Sequence, residues 1–491
     1  METAQEFLSE DINGVLWKII PFLLLGAGLY FGIRTLLVQI RYVPDMFRSI
    51  TERPPKDSHK DEISPFKAFS ISAASRVGTG NVAGVAIAIS LGGPGAVFWM
   101  WIVAVVGGAT AFVEATLAQV YKTRDGKGFR GGPAYYMTRG LRARPLAIVF
   151  AVAISITYGF VYNAVQTNSI VESMGTSLQV ARGQDSAIST GTAAGIGLVI
   201  ALLSALVIFG GVQRIANVTQ WIVPFMAGAY ILIGVFVLGK NVSEIPNMFA
   251  TIVGHALGFK EVAGAAVGHA FTQGMRRGLF SNEAGQGSAP NAAATASVSH
   301  PVKQGLVQTL GVYFDTLVVC SITAFIILLS NPTYGGEVEG ASLTQSALAA
   351  EVGPWGTHLI TFVLFFLAFS SILGNYYLAQ ANIQYFSNSP TVMRVFRVLV
   401  ILCVFGGAIG TVPLVWALAD TFAATMVTIN LIAIIPLGGV AFKLLGNYAA
   451  QRHEGKEPIF HRSDLPELRN VECWDGEEAM TRREFWEEQR A

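Results

Sequence analysis

Eleven long apolar stretches, each near or above the thickness of a bilayer, constrain this chain more than any other feature. They run roughly over 14–39, 66–91, 95–121, 145–176, 191–211, 217–239, 259–284, 302–330, 355–386, 393–411 and 413–443. A spanning helix needs about 20 mostly apolar residues, whereas a barrel strand needs about 10 that alternate. These runs are continuous and rich in Ala, Leu, Ile and Gly, so they predict helices. Only 13% of the 491 residues are charged, against about 25% in a soluble domain, which is too little to cover a water-facing surface. Three scattered cysteines exclude a disulfide scaffold, the apolar content excludes disorder, and a net charge of +1 gives no support to nucleic-acid binding. An all-α integral membrane protein remains, with the lipid bilayer as its solvent.

Lys and Arg give the orientation. The connection 40–67 carries Arg41, Arg48, Arg53, Lys56, Lys60 and Lys67, and 122–144 carries Lys122, Arg124, Lys127, Arg130, Arg139, Arg142 and Arg144. The segment after Phe442 is again basic. Residues 1–13 hold no Lys or Arg, and 331–354 carries Glu337, Glu339 and Glu351 without a basic residue. Eleven crossings put the N-terminus outside and the C-terminus in the cytoplasm, and every strongly basic connection then falls inside. Residues 1–13 lack the basic start of a cleaved signal and 14–39 is too long for a signal core, so the latter predicts a retained helix. The segment 444–491 reads as a cytoplasmic tail that packs on the loops; a regulatory element is the sharper reading.

Two apolar stretches are interrupted. One is SAASRVGTGNVAG, Ser72 to Gly84; the other is FTQGMRRGLFSNEAGQGSAP, Phe271 to Pro290. Gly78, Gly80 and Gly84 fall within seven residues, and each glycine costs a helix interior about 1 kcal/mol relative to alanine. Close packing of helices through small residues is one reading. The positions of the two stretches favour another. With 14–39 set aside, they open two halves of five helices each, 66–239 and 259–443, of inverted topology. Paired broken helices in matching positions point to a midplane site in a secondary transporter. Half-helix N-termini suit a carboxylate, and freed carbonyls suit a cation.

Specific motifs now add to this. GGPGAVFWMW (Gly92 to Trp101), RVGTGNVAGVA (Arg76 to Ala86), RGLFSNEAGQGSAP (Arg277 to Pro290), GVYFDT (Gly311 to Thr316) and ADTF (Ala419 to Phe422) resemble the alanine/glycine:cation symporter family, the sodium:alanine symporters. The resemblance covers about residues 66–443. It implies a leucine-transporter-type fold: eleven transmembrane helices, made of a five-plus-five inverted repeat with its first and sixth core helices broken, and one extra N-terminal helix. It implies sodium-driven uptake of a small neutral amino acid, alanine or glycine, across a bacterial inner (plasma) membrane, with sodium as coupling ion and no other cofactor. No enzymatic activity is expected, since the helices carry no nucleophile–base pair or metal spacing.

Carried over residue by residue, Thr79 and Gly80 match the positions that hold the substrate carboxylate. Gln273, Gly274 and Met275 match the break of the sixth core helix. Asn163 and Gln166, three apart on one helix face, are candidates for the substrate's ammonium or carboxylate. Ser370 and Ser371 match a hydroxyl pair that, with the carbonyls of Ala74, Val77 and Leu367, surrounds sodium in this fold; each serine bonding back to its own helix is the plainer reading. The family usually has tryptophan where Asn375 stands, one turn beyond Ser371. An asparagine there enlarges the pocket and adds hydrogen-bonding groups, which opens it to glutamine, asparagine or serine. Ile429 stands where the family often has proline, which predicts a less kinked last helix.

Charges within the spans are expensive and usually paired. Arg76, Glu114, Glu283, Asp315 and Asp420 are expected to form an ion-pair network or a cytoplasmic gate, with a proton relay as a third possibility. Arg276 and Arg277 are expected to follow the second break and face the inner vestibule. Two neutral serines favour sodium over proton coupling, and nearby Arg76 keeps the proton alternative open. A passive channel or facilitator is the reading from a different class; its filter loops or rings of one charge are missing from the sequence.

Overall fold

A computed structural model describes residues 6–53, 63–126, 128–183, 187–259, 264–334 and 340–488. Lys56, Lys60, Lys127, Glu337 and Glu339, which entered the charge reading of the connections, lie outside the described residues, as do residues 260–263 of the stretch expected from 259. Among the described residues nine helices are long and apolar enough to cross a membrane. They are Phe7–Arg34, Gly95–Val120, Arg144–Arg182, Thr190–Ile208, Gln213–Lys240, Pro301–Leu329, Trp355–Phe386, Pro390–Gly407 and Val412–His453. Each falls on an expected stretch. The two expected stretches missing from the nine are the ones read as interrupted.

The helices that matter below are α1 (Asn13–Arg34), α2 (Val43–Ile50), α3 (Pro65–Arg76), α4 (Val85–Gly92), α5 (Gly95–Val120), α6 (Pro133–Arg139), α7 (Arg144–Ile156) and α8 (Tyr162–Arg182). They continue with α9 (Thr190–Ile208), α10 (Val212–Lys240), α11 (Ile245–Ala256), α12 (Gly264–Asn282), α13 (Ala289–Ala293), α14 (Pro301–Tyr313) and α15 (Ser321–Leu329). The last are α16 (Ala341–Val352), α17 (Trp355–Phe386), α18 (Pro390–Gly407), α19 (Val412–His453) and α20 (Arg483–Glu488). Local chemistry sets several starts. Ser64 caps α3 by accepting from Lys67 N at 3.2 Å, with Pro65 in the first turn. His300 caps α14 in the same way ahead of Pro301. Wider, π-helical turns join α7 to α8 and α14 to α15.

Burial inverts the order found in a water-soluble protein. Residues 70–90 and 277–309, the most polar and glycine-rich of the apolar runs, are buried throughout. The greasiest surfaces face outward: Trp221, Phe225 and Leu232 on α10 are at least 70% exposed. Lipid is the natural neighbour of that face, and irregular backbone is confined to the protein interior. Small residues bring the central helices together. A Cβ on Gly108 of α5 would come within 3.2 Å of Thr309 and Tyr313, and one on Gly305 of α14 within 2.8 Å of Phe112.

One end of the bundle carries a folded tail. A short antiparallel hairpin, β1 (Thr123–Asp125) with β2 (Gly128–Arg130), lies there. Trp474 is 1% exposed and donates from Nε1 to Gln119 O at 3.1 Å. Phe460 N donates to Ser299 O at 2.9 Å. Arg124 pairs with Asp475 at 2.8 Å, Arg139 pairs with Glu472, and buried Lys303 lies between Glu52 and Glu457. Asn13 lies at the opposite end, against the start of α19.

Candidate functional site

The first break falls where the glycines predict it. Helix α3 ends at Arg76, Val77 turns out of helical geometry (φ −79°, ψ 89°), and a π-helical turn over Gly80–Gly84 leads into α4. Two amides freed by the break meet side-chain oxygens. Gly78 N donates to Asn81 Oδ1 at 2.8 Å, and Thr79 N donates to Gln166 Oε1 at 3.1 Å, so α8 reaches the break directly. Ser371 on α17 approaches from another side. Its Oγ lies 3.4 Å from Val77 O and 3.1 Å from Leu367 O, and Ser370 Oγ donates to Leu367 O at 2.8 Å. Ser370 therefore bonds back to its own helix, while Ser371 also spans to the broken one. Both glycines at the break are required by close approach. A Cβ on Gly78 would collide with Ser371 Oγ, and one on Gly80 would sit 3.1 Å from Phe280 and 3.3 Å from Ser281 Cα. Ala74 belongs to the same contact, because a Cβ on Gly374 would lie 3.0 Å from its carbonyl carbon.

The structure thus gathers Ala74, Val77, Thr79, Gly80, Gln166, Leu367, Ser370 and Ser371 around one break. Asn163 stands a turn back on α8, donating to Gly159 O at 3.1 Å. Its buried Oδ1 has no partner among the described residues. Asn375 lies beside Ser75, whose Oγ is 2.8 Å from Asn375 Oδ1 and 2.8 Å from Glu283 Oε1. A hydroxyl has one proton, so Ser75 serves one of these acceptors at a time. Asn375 Nδ2 is buried and has no partner among the described residues.

The second break lies elsewhere than expected. Helix α12 runs without interruption through Gln273, Gly274 and Met275 and ends at Asn282. The irregular segment is 283–288, where Glu283, Gly285 and Gly287 take positive φ of 56°, 87° and 76°. Gly274 is spent on packing: a Cβ there would press on Trp99 Cβ at 2.6 Å. Gln273 Cβ would lie 2.9 Å from a Cβ on Gly92, twelve residues and about 18 Å of helix beyond Gly80. Met275 is fully buried. Phe280 and Ser281 are the α12 residues that face the first break.

Glu114 holds the second break open. Its Oε1 accepts from Gly285 N at 3.2 Å and its Oε2 from Gly287 N at 3.1 Å. Asn430 on α19 donates to Glu114 Oε2 at 2.8 Å and to Gly285 O at 3.0 Å. Backbone unwound at membrane depth needs such partners. Among the described residues the expected network around Arg76 shows no direct ion pair. Arg76, 2% exposed, donates to Gln308 O at 3.3 Å and pairs with no carboxylate among the described residues. Glu283 accepts from Ser75 and Ser288, the latter at 2.6 Å. Asp315 accepts from Asn81 at 2.7 Å, Ser281 at 2.6 Å and Thr316 at 2.9 Å. Of the four singled out with Arg76, Asp420 alone is ion-paired, with Arg277 and, at 3.6 Å, with Arg276. The break follows these arginines instead of preceding them, and they lie at the end of the bundle that holds Asn13, away from the tail. Aromatic rings fill the space between that pair and the first break: Trp416 is 4.7 Å from Phe280, Phe280 is 4.8 Å from Tyr162, and Arg277 stands 4.6 Å over Trp416. Aromatic residues in apolar helices read as core, and no spacing in the sequence set these apart.

A solved structure shares this arrangement of helices. The chain superposes on MhsT in complex with L-phenylalanine with a TM-score of 0.57 at 10% identity, covering 79% of this chain and 99% of that one. The likeness supports a leucine-transporter-type fold. The sequence profile of the sodium:alanine symporter family matches residues 1–462. The chain is 49% identical to the amino-acid carrier protein AlsT of Bacillus subtilis, over 97% of this chain and 99% of that one. It is 44% identical to the probable sodium/glutamine symporter GlnT of the same organism, over 98% of each. The chain belongs to the sodium:alanine symporter family. It is a multi-pass membrane transporter and not an enzyme.

Proposed function

We propose that the protein is a sodium-coupled symporter of a small neutral amino acid, alanine or glycine, working by alternating access. The observation that carries this is the convergence on one break of donors and acceptors of opposite use. The Thr79 amide now meets a neutral side-chain oxygen of Gln166, and a substrate carboxylate is a stronger acceptor for the same amide. The Ser371 hydroxyl lies within hydrogen-bond reach of both Val77 O and Leu367 O, and with Ala74 and Ser370 these residues would supply the all-oxygen set that a hard cation prefers. Sodium would join α17 to the broken helix, and the amino acid would complete closure. This is population shift by differential affinity.

In this reading the two broken helices, α3 with α4 and α12 with α13, also cross the membrane. That gives eleven crossings: α1 followed by two inverted halves of five. The tail end, with Lys122, Arg124, Arg139, Arg142 and Arg144, faces the cytoplasm of a bacterial inner membrane, and the N-terminus lies outside. The Arg277–Asp420 pair, backed by Trp416 and Phe280, closes the outer path as a gate. Gln273, Gly274 and Met275 then belong to the outer half of α12. A larger polar substrate such as glutamine is the second reading. It is favoured by the free Asn375 amide and by the likeness to the probable sodium/glutamine symporter.

Uptake of labelled alanine, glycine, serine and glutamine into proteoliposomes under an imposed sodium gradient tests both readings. Sodium-dependent accumulation of alanine or glycine is expected. Preference for glutamine moves the assignment to the second reading, and accumulation driven only by a proton gradient overturns sodium coupling. Equilibration without concentration would mean a passive facilitator.

A further inference from the structure

Helix α1 stands outside the two halves, yet its first two turns are tied to the aspartate of the gate. Asn13 is 1% exposed and Trp17 3%, on a helix whose Phe22 and Ile33 are 66% and 69% exposed. Asn13 Nδ2 donates to Ala417 O at 2.9 Å, and Thr421 Oγ1 donates to Asn13 Oδ1 at 3.0 Å. Trp17 Nε1 donates to Asp420 O at 3.3 Å. Residues 417, 420 and 421 lie on one face of α19. The same two residues touch one of the opposing arginines: Arg276 donates to Asn13 O at 3.4 Å and stacks 5.3 Å from the Trp17 ring.

We propose that Asn13 and Trp17 are positioning residues for the outer gate. They fix the rotation of α19 about its axis so that the Asp420 carboxylate is aimed at Arg277 and Arg276. The proposal rests on the reading of that pair as a gate. A turn of α19 that carried Asp420 away from the arginines would break the bonds at 417, 420 and 421 together. Three bonds between two rigid helices hold that rotation better than the carboxylate alone. Both contacts on the arginine side go through the end of one flexible side chain, so α12 can leave while α19 keeps its setting. The extra helix therefore lowers the cost of closing the gate again after each opening.

Trp17→Phe is the informative variant, because it keeps an aromatic face for Arg276 while it removes the indole N–H together with part of the ring. Uptake kinetics are measured for wild type, Trp17→Phe, Asn13→Ala, Asp420→Asn and Trp17→Phe/Asp420→Asn. The expected result is a KM for the amino acid about three- to tenfold higher in Trp17→Phe, the effect of one lost hydrogen bond, with kcat changed less than about twofold. Asn13→Ala should shift KM in the same direction, and the double variant should match Asp420→Asn alone. An unchanged KM in Trp17→Phe beside an impaired Asp420→Asn overturns the positioning role and leaves the gate standing. Multiplying effects in the double variant also overturn it, since Trp17 would then act through general packing. A wild-type Asp420→Asn removes the gate reading itself.

Discussion

Gly78→Ala is the most direct test of the proposed cation site. The new methyl group has no room: it overlaps Ser371 Oγ and sits 3.0 Å from Gln166 Oε1 and 3.1 Å from Ser371 Cβ, where ordinary contact begins at 3.4 Å. Ser371 Cβ is fixed to α17, whereas Ser371 Oγ and Gln166 Oε1 are side-chain ends that turn only by giving up their present bonds. Relief therefore requires either turning the Ser371 hydroxyl away from Val77 O and Leu367 O or pushing α17 back. Overpacking of this kind costs about 1–3 kcal/mol. If that cost falls on the sodium-bound arrangement, the sodium concentration for half-maximal uptake rises about five- to 150-fold. Ser371→Ala removes the hydroxyl without the clash and should raise the same quantity. Gly78→Ala/Ser371→Ala should recover thermal stability relative to Gly78→Ala, because the smaller side chain admits the methyl, yet it should stay defective in sodium dependence. The assay is initial-rate uptake against sodium concentration, with thermal unfolding of the purified protein run beside it. Wild-type sodium dependence in Gly78→Ala would refute the reasoning outright, since it would mean that Ser371 and the first break do not meet in the transporting protein.

Other consequences follow from the same geometry. Glu114→Gln leaves Gly285 N or Gly287 N facing an amide N–H and should cost about 1–3 kcal/mol, seen as a lower unfolding temperature and slower uptake; an unchanged variant would mean that the second break is held by something other than Glu114. Asn375→Trp should fail to accommodate its ring beside Ser75 without shifting α3, and comparison of alanine with glutamine uptake shows whether position 375 sets substrate size. The tail should come loose in acid. Burial opposes ionisation of Glu472 and Asp475, but the bonds to Glu472 from Thr123 and Arg139 and to Asp475 from Arg124 outweigh it and hold both carboxyls below their usual range. Carboxylates lowered by folding contribute their stability above the ordinary value of about 4 and lose it as pH falls through the lowered one. Protease sensitivity after Lys456 should therefore rise at low pH, and Arg139→Ala should move that rise to higher pH.

Much of the architecture was legible because hydropathy is a local property. A run of about 20 apolar residues must cross a bilayer whatever its neighbours are, and nine of the expected spans recur, with ends up to ten residues from the expected ones. The first break was legible for the same reason. Val77 and Gly78 leave the helix where three glycines within seven residues weaken it most. Ser370 and Ser371 could be paired with that break only through a family resemblance, and the structure brings Ser371 to Val77 O across a separation of 294 residues.

The second break shows the limit. Its sequence holds glycines at 274, 278, 285 and 287, and composition does not rank them. Gly274 and Gly278 are consumed by close packing against α5, where the helix stays intact, whereas Gly285 and Gly287 take positive φ and unwind the chain. What separates the two uses is Glu114 and Asn430, reaching in from α5 and α19 to satisfy the freed amides and carbonyl. The charges follow the same rule. Sequence placed Arg76, Glu283, Asp315 and Asp420 inside the membrane, where each needs a partner. The partners themselves lie as far as 234 residues away along the chain. By itself the sequence determined a bundle of apolar helices and one weak point, because these depend on side-chain transfer between water and lipid and on local backbone cost. Tertiary structure alone decided where the second helix unwinds, which carboxylate meets which arginine and which aromatic rings enclose the path, because a buried polar group is satisfied by whatever the fold carries within about 3 Å of it.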